Sequence, residues 1–404
     1  MKEPKIRFKG FQGEWETSII GDIATFSKGR GYSKSDLRSE GNPIVLYGRL
    51  YTNYSSVIES VDTFASLQNG SVLTKGNEVI IPGSGETPED IAVASAVEQK
   101  GVILGGDLNV LTFDQEKISP AFAAMSITYS NTHNELSGYA QGKTVVHLHN
   151  SSISKGHISY PYIDEQQSIA SYFLHLDSLI QSTTKEIESL KQVKAASLQS
   201  MFPQEGETTP RVRFKGFEGE WEKVSLGEET YPAGIKNYEN LPLDSYSISN
   251  EFGFIPQNLQ FENGGTMATA DKRMYYIVSK NSFGYNPARI NVGSLGYYSG
   301  NENVIVSSLY EIFKTSDRIC DTFLLYWFKT SMFQKLIEQY QEGGVRFYFF
   351  YDKLCMCHIF VPSYEEQCAI ASYFTTLDRQ ITLHTQRLEK LKQIKSACLD
   401  NMFV

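Results

Sequence analysis

The sequence has little of several features that mark common classes of protein. No apolar run approaches the roughly 20 residues needed to cross a bilayer, and the start of the chain lacks the apolar core of a signal peptide. Only five of the 404 residues are cysteine, and all five lie in the second half, which is not typical of a disulfide framework. We therefore expect a cytoplasmic protein without a membrane anchor.

The chain also lacks an excess of basic residues. Its 37 lysines and arginines are outnumbered by 46 aspartates and glutamates, which gives a net charge of −9. A simple nucleic-acid-binding protein would usually be basic, although a locally basic face can coexist with acidic surface elsewhere. Hydrophobic residues make up 41% and charged residues 21%, the ordinary balance of a globular protein of two to four domains.

A complete catalytic motif is missing as well. Residues 138–144 resemble a phosphate-binding loop, but three rather than four residues separate the glycines and polar sequence precedes them. The cluster at residues 355–358, Cys-Met-Cys-His, has no second ligand pair at zinc spacing, and its alternation favours the edge of a strand. We expect no catalytic residue, no metal site and no cofactor bound by this chain.

What the sequence does contain is an internal repeat. Residues 6–16 return as residues 212–222 with nine of eleven positions identical. Residues 161–202 return as residues 362–403 with 21 identities in 42 positions. We call these four segments the repeated frame.

The stretches between the repeats, roughly residues 25–155 and 231–355, do not visibly match. Two similar frames thus carry two different inserts. This arrangement favours the recognition of an asymmetric, two-part target by a symmetric scaffold, since matched frames predict two copies of one partner.

The second repeat predicts a long helix in each half. From residue 165 to 202 apolar residues recur every three or four positions, and Pro161 and Pro203 flank the stretch. About 35 residues make a helix of roughly 50 Å, too long to bury its apolar stripe in one small domain. The copy is the natural partner, which predicts an antiparallel two-helix coiled coil. Two independent helices, each covering its own domain, are the alternative.

The residues predicted to form the interface of the helix pair share this apolar stripe. They are Ile169, Phe173, Leu176, Ile180, Ile187 and Leu190 on the first helix, and Ile370, Phe374, Leu377, Ile381, Leu388 and Leu391 on the second.

The predicted fold class is mixed α+β, with two domains joined by the helix pair and related by a pseudo-two-fold repeat. Short strands between glycine-rich turns fill each insert, and a helix is predicted near the end of each, at 119–130 and 320–341. The predicted boundaries are 1–160 for the first domain, 161–202 for the first long helix, 203–211 for a linker, 212–361 for the second domain and 362–404 for the second helix.

Aromatic residues alternate with basic and amide residues at loop-like positions of both inserts. Arginine and amide side chains can bind base edges bidentately, and lysine and backbone amides bind phosphates. The plain alternative is that many of these side chains pack or cover the surface. The residues predicted to contact DNA are Tyr47, Arg49, Tyr51, Lys143, Thr144, Lys272, Arg273, Tyr285, Asn286, Arg289, Gly343, Gly344 and Arg346.

The pattern resembles the specificity (S) subunit of type I restriction-modification systems. The resemblance covers the whole chain and is carried by the two Phe-Lys-Gly-Phe-x-Gly-Glu-Trp-Glu segments, by Glu165-Gln166 with its copy Glu366-Gln367, and by the Leu-Lys-Gln-x-Lys tails. The first copy departs from the pattern at residues 142–144, Gly-Lys-Thr, where the second has Gly-Gly-Val. The two turns therefore need not touch DNA in the same way.

The resemblance implies that each domain is a target recognition domain for one half of a bipartite, asymmetric site in double-stranded DNA. The helix pair would act as a ruler that fixes the gap between the half-sites. Two methylase subunits would dock on the scaffold, and restriction subunits would join through the methylases. The chain itself would be non-catalytic, with S-adenosylmethionine, ATP and Mg expected in the partner subunits.

Two other classes of function stay open at this point. A single-chain methyltransferase or nuclease would need a cofactor motif, which the sequence does not contain. A non-catalytic adaptor or scaffold without sequence readout would use the helix pair only to assemble partners. Sequence-specific DNA binding in the presence of a methylase separates the adaptor from the specificity subunit.

Overall fold

The computed structural model describes residues 3–260, 271–344 and 347–404. The chain forms two compact units, the first made of Met1–Thr184 and Gln386–Val404 and the second of Lys185–Thr385. Each unit therefore contains one mixed α/β domain and a part of both long helices. The boundaries predicted from the sequence follow the helix ends instead, and they stay a prediction.

The first unit contains a five-stranded and a four-stranded sheet. In spatial order the strands of the larger sheet are Ala24–Lys28, Leu108–Phe113, Glu78–Pro82, Ser95–Val97 and Val57–Ile58, and those of the smaller are Ile103–Leu104, Asn42–Val45, Phe64–Ala65 and Leu37–Arg38. Two-stranded pairs join Glu16–Ile19 to His157–Tyr160 and Ser84–Gly85 to Val146–His147. The helices are Ile20–Ile23, Arg49–Thr52, Pro88–Ile91, Pro120–Tyr129, Asn131–Gly138, Asn150–Ile153 and Ile163–Ser200, with a 3-10 turn at Lys34–Asp36.

Within the described residues, the second unit contains a four-stranded sheet and a three-stranded sheet. Their strands, in spatial order, are Thr230–Pro232, Glu311–Thr315, Ser282–Tyr285 and Leu295–Tyr298, then Ile235–Lys236, Tyr276–Val278 and Val304–Val306. Strand pairs join Glu222–Ser225 to His358–Val361 and Tyr246–Ser249 to Gly253–Pro256. The helices are Leu226–Glu229, Gln257–Gln260, Asp321–Trp327, Ser331–Tyr340, Tyr351–Met356 and Tyr364–Met402, with a 3-10 turn at Ile290–Val292.

Each domain has its own central sheet, and the two sheets have a similar strand order although the inserts do not match in sequence. Four strands of each sheet pair antiparallel in the same way: Ala24–Lys28 with Leu108–Phe113, then Glu78–Pro82 and Ser95–Val97 in the first unit, and Thr230–Pro232 with Glu311–Thr315, then Ser282–Tyr285 and Leu295–Tyr298 in the second. The fold class is therefore mixed α/β in both units, as the sequence predicted. Successive residues of a strand point to opposite faces of the sheet, and they enter different hydrophobic clusters, as Ile80 and Ile81 do in the first unit and Ile312 and Phe313 in the second.

The short frame repeat is tied to the long helix of its own unit by a buried ion pair. The guanidinium of Arg7 donates to both carboxylate oxygens of Glu165 at 2.7 Å, and Arg213 does the same to Glu366 at 2.6 and 2.7 Å. Both glutamates are only 1% exposed. These hydrogen bonds raise the pKa of both arginines.

The neighbouring glutamines complete the frame. The Gln166 side chain accepts from the Ser119 backbone N–H at 2.9 Å and donates to the Pro161 carbonyl at 2.8 Å. Gln367 accepts from the Cys320 N–H at 2.9 Å and donates to the Pro362 carbonyl at 3.1 Å. Each buried amide thus links the start of the long helix to the N-terminus of a helix near the end of its insert, Pro120–Tyr129 or Asp321–Trp327.

The long helices lie antiparallel in the first unit. Tyr172 lies next to Cys398, and Asp177 binds Lys395 at 2.5 Å, so that rising numbers on one helix meet falling numbers on the other. The end of the second helix enters the core of this unit, where Phe403 stacks on Phe173 with 5.8 Å between ring centroids.

The second unit repeats these contacts with the roles of the helices exchanged. Lys194 binds Asp378 at 2.5 Å, the Ser197 hydroxyl lies 2.9 Å from the Tyr373 hydroxyl, and Phe202 stacks on Phe374 at 6.0 Å. Each unit is therefore built from the start of one long helix and the end of the other.

All twelve residues predicted for the helix-pair interface are buried or half-buried. The first of them on each helix also belong to the domain cores: Ile169, Phe173 and Leu176 in the first unit, Ile370, Phe374 and Leu377 in the second. The first turns of each long helix therefore pack on the domain from which the helix starts and cover it. The coiled coil along the full length of both helices stays a prediction.

Two local predictions were wrong. The single helix expected at 320–341 is two helices, because Thr330 caps the second one by accepting from the Phe333 N–H. The cluster at residues 355–358 does not form a strand edge throughout, since Cys355 lies in the helix Tyr351–Met356 and the strand begins at His358.

Candidate nucleic-acid interface

A glycine turn closes the insert of the first unit. Gln141 and His147 exchange backbone hydrogen bonds of 3.0 and 2.8 Å, and the intervening loop presents Lys143 and Thr144 to solvent. Gly142 has φ +135°, and a Cβ there would lie 2.0 Å from the Val145 carbonyl oxygen. Only glycine fits this position.

The second unit forms the same turn from different residues. Glu342 and Tyr348 exchange backbone hydrogen bonds of 2.8 and 2.7 Å, and Gly343 has φ +129°. Gly343 and Gly344 are exposed, and their contact with DNA stays a prediction. Arg346, which was also predicted to contact DNA, lies outside the described residues.

A pair of parallel rings follows each glycine turn. His147 and His149 stack with 6.1 Å between centroids and 8° between planes, and Tyr348 and Phe350 stack at 5.5 Å and 2°. The residue between the rings is fully buried in both units and donates its backbone N–H at 3.0 Å, Leu148 to Gly83 and Phe349 to Pro287. This bond holds each ring pair just beyond the end of a strand of the central sheet, Glu78–Pro82 in the first unit and Ser282–Tyr285 in the second.

The first unit also has a cleft of about 1000 Å3. Tyr47, Arg49 and Tyr51, all predicted to contact DNA, line it together with Glu86 and Asp107. Ser84, which pairs with His147 in the strand register, donates a hydrogen bond to the Asp107 carboxylate. The structure thus brings the cleft and the glycine turn to one region of the unit.

Arg49 is held in the cleft wall by a single ion pair among the described contacts. Its guanidinium lies 3.1 Å from the exposed carboxylate of Asp62, while its Nε is buried without a hydrogen-bond partner. The rings of Tyr47 and Tyr51 lie 6.3 Å apart, and partial burial raises the pKa of Tyr51. The cleft can present cationic, phenolic and carboxylate groups to the edge of a base.

The predicted residues Asn286 and Arg289 flank Pro287, the residue that anchors the second ring pair. Arg289 is exposed, and the Asn286 side chain accepts from the Ala288 N–H at 3.0 Å. Tyr285 behaves differently, because its ring is completely buried and packs in the core near Phe313, with burial raising its pKa well above the usual value. Tyr285 therefore has no exposed surface with which to contact DNA, and its predicted contact is wrong in this structure.

Lys272 and Arg273 come just before the strand Tyr276–Val278, which belongs to a different sheet from Ser282–Tyr285. Arg273 forms a bidentate pair with Asp271, which lowers the pKa of that carboxyl. By contrast, neither Lys143 nor Arg289 forms an ion pair with any residue in the described ranges. Lys143 and Arg289 are also exposed, so both can reach a phosphate or a base.

Sequence reasoning missed the ring pairs. The signal was present, because His147 and His149 precede Tyr348 and Phe350 by the same 201 positions that separate Glu165 from Glu366. An alignment continued past the glycine turn would have matched them. In the described part of the chain, no helix is long and apolar enough to cross a membrane. No group of three or more His, Cys, Asp or Glu side chains there could hold a metal.

The model of the type I restriction modification DNA specificity domain matches residues 12–192 and 253–393. The type I restriction enzyme MjaVIII specificity subunit of Methanocaldococcus jannaschii is 20% identical over 96% of this chain and 91% of its own length. The putative type I restriction enzyme MjaX specificity subunit of the same organism is 23% identical over 77% of this chain and 74% of its own.

A solved structure gives the same fold. The crystal structure of the S subunit of a type I restriction-modification system from M. genitalium superposes with a TM-score of 0.59 and 15% identity, covering 100% of this chain and 99% of that one.

Proposed function

The chain belongs to the family of type I restriction modification DNA specificity domains, and on this premise we propose that its two domains recognise the two unlike halves of a bipartite site in double-stranded DNA. Recognition is the role of this chain, whereas methylation and cleavage reside in partner subunits. S-adenosylmethionine and ATP with Mg are bound by those partners.

The observation that carries the proposal is the contrast between frame and insert. Arg7–Glu165 and Arg213–Glu366 make the same bonds in the two units, and Gln166 and Gln367 do likewise. The inserts place different side chains on the same glycine turn. Identical frames support binding of two copies of one partner, and unlike inserts support two different half-sites.

The long helices support a fixed gap between the half-sites. Each is a single continuous helix, Ile163–Ser200 and Tyr364–Met402, and both carry residues of both units. We propose that they form one antiparallel coiled coil that serves as a ruler. A rigid spacer of this kind sets the gap because a helix rises 1.5 Å per residue and does not stretch.

Two methylase subunits dock on this scaffold, one on each copy of the repeated frame, and restriction subunits join through the methylases. The negative balance of the chain, −9, is compatible with DNA binding when the methylases share the neutralisation of phosphates. Lys143 and Arg289 supply cations from this chain beside the glycine turns.

A methylome tests the proposal. The chain is expressed with its cognate methylase subunit, and modified adenines are mapped across the host genome. We expect one two-part motif with a constant gap. DNA modification or binding without any bipartite preference, while the methylase is bound, would favour the adaptor function instead.

A matched insertion tests the ruler. Seven residues of helix-forming sequence are added after both Thr184 and Thr385, where the two units divide, so that the antiparallel pairing is kept. We expect both half-sites to be unchanged and the gap to grow by about 10 Å, or about three base pairs. The same insertion in one helix alone is the control that breaks the pairing, and an unchanged gap in the matched variant contradicts the ruler.

A further inference from the structure

We propose that the ring pairs after the glycine turns, His147 with His149 and Tyr348 with Phe350, are specificity-determining residues that contact the DNA half-site of their own unit. The inference rests on the proposed function and adds four residues to the candidate interface. It assigns a hydrogen-bonding contact to the first half-site and a more apolar contact to the second.

The two ring pairs have the same geometry but different side-chain chemistry. Both pairs flank a buried residue, Leu148 or Phe349, whose N–H is bonded at 3.0 Å to a carbonyl just beyond the end of a core strand. A surface that docks two copies of one partner would keep its residues, as the frame does. Rings that keep their position but change identity suit a ligand that differs between the units.

One ring of each pair also stands at the start of a short helix. His149 and Phe350 occupy the N-cap positions of the helices Asn150–Ile153 and Tyr351–Met356, and neither side chain caps its helix. Serine, threonine, aspartate or asparagine would stabilise these positions better. A local preference broken in the same place in both units is expected at a functional site.

The ring pairs are accessible to solvent, and a basic residue lies near each of them or near its anchor in the chain. His147, His149 and Phe350 are exposed and Tyr348 is half-exposed. Lys143 lies on the turn before the first pair, and Arg289 lies two residues after the carbonyl that anchors the second. Cations beside exposed rings fit a ligand with a phosphate backbone and adjacent bases. Rings that only covered the protein surface would not need cations next to them.

The two pairs fit different base edges. An imidazole can donate to a base-edge acceptor such as guanine O6 or N7, or accept from a donor such as the cytosine amino group, whereas the phenyl ring of Phe350 can only pack on apolar groups such as the thymine methyl. The phenol of Tyr348 adds one hydroxyl to the second pair. The two half-sites should therefore differ at the base pair that each ring pair contacts.

The test measures discrimination separately at each half-site. The complex of this chain with its methylase is titrated with the cognate duplex and with duplexes altered in one half-site at a time. In His147→Ala/His149→Ala we expect discrimination at the first half-site to fall about tenfold, the lower range for a lost base contact, with the second half-site unchanged. Tyr348→Ala/Phe350→Ala should give the reverse.

A ring exchange keeps the proposal testable if the alanine variants fold poorly. His147→Tyr/His149→Phe retains two stacked rings and should change the preferred base at one position of the first half-site only. Gln115→Ala is the control, since this exposed residue follows the end of the strand Leu108–Phe113 that lies opposite Asp107 and the cleft, and it should leave both ratios unchanged.

The outcomes separate the two proposals. If the unaltered complex shows no bipartite preference, the proposed function fails and the ring-pair inference with it. If that preference is present and the ring variants leave it unchanged, the inference alone is wrong. Loss of methylase binding with discrimination retained would instead assign the rings to a protein interface and overturn their contact with DNA.

Discussion

The repeated frame and the inserts preserve different properties across the two units. In the frame, the same residue types make the same bonds, as in Arg7–Glu165 and Arg213–Glu366. In the inserts, the glycine turn keeps its backbone hydrogen bonds and its positive φ while the neighbouring rings change from His147 and His149 to other residues. A buried ion pair tolerates no change of partner, whereas an exposed ring on a fixed strand can be exchanged without loss of the fold.

The largest expected effect lies in the frame. Arg213→Ala leaves the buried carboxylate of Glu366 without its partner and should lower the free energy of unfolding by about 3 kcal/mol or more. Arg7→Ala should do the same in the first unit. Arg211→Ala is the control, because its exposed pair with Glu207 should contribute less than about 1 kcal/mol. Chemical denaturation followed by tryptophan fluorescence measures all three, and a small effect of Arg213→Ala would contradict the structural role of the frame.

The next largest effect is a loss of DNA affinity, which should differ between an arginine without an ion pair in the described residues and an arginine that has one. Arg289→Ala should weaken binding of the specific duplex by about 1–3 kcal/mol and relax one position of the second half-site. Arg273→Ala should have a smaller effect, because that guanidinium is already paired with Asp271. Affinities at one fixed salt concentration compare them. Unchanged affinity and motif in Arg289→Ala would remove this arginine from the interface.

The glycine turn itself gives a smaller, local effect. Gly142→Ala places a Cβ against the Val145 carbonyl at a backbone φ of +135°, so the loop must shift, and we expect a loss of about 1–2 kcal/mol in stability. Gly138→Ala is the control, since it is helical and has open space around its Cα. Thermal melts compare the two variants, and equal melting temperatures would show that the turn does not need glycine.

The smallest effect concerns the helix pair. Lys194→Ala and Lys395→Ala each remove a half-exposed ion pair, to Asp378 and Asp177, and should cost about 0.5–1 kcal/mol that fades at high salt. The two losses should be equal if the units are equivalent. Denaturation at two ionic strengths tests this, and a loss that does not depend on salt would assign the lysines to packing instead.

The long helices illustrate what could be predicted and why. Their predicted limits, 161–202 and 362–404, lie within two residues of the observed Ile163–Ser200 and Tyr364–Met402, because flanking prolines and an unbroken apolar period are local signals. The break between Asp321–Trp327 and Ser331–Tyr340 was missed, since a threonine cap in the middle of an apolar stretch is a weak signal. Tyr285 was placed at the interface because an aromatic next to Asn-Pro suits a loop, and only the packed core shows that it is buried.

The sequence by itself determined the two-fold repeat, the two long helices and the family, because identity, period and helix boundaries are written along the chain. Only the tertiary structure decided which side chains face outward. It buried Tyr285, paired Arg273 with Asp271, and set two rings side by side after each glycine turn. Exposure and pairing depend on residues far away in sequence, such as Gly83 beneath Leu148 or Pro287 beneath Phe349, and no local pattern encodes those contacts.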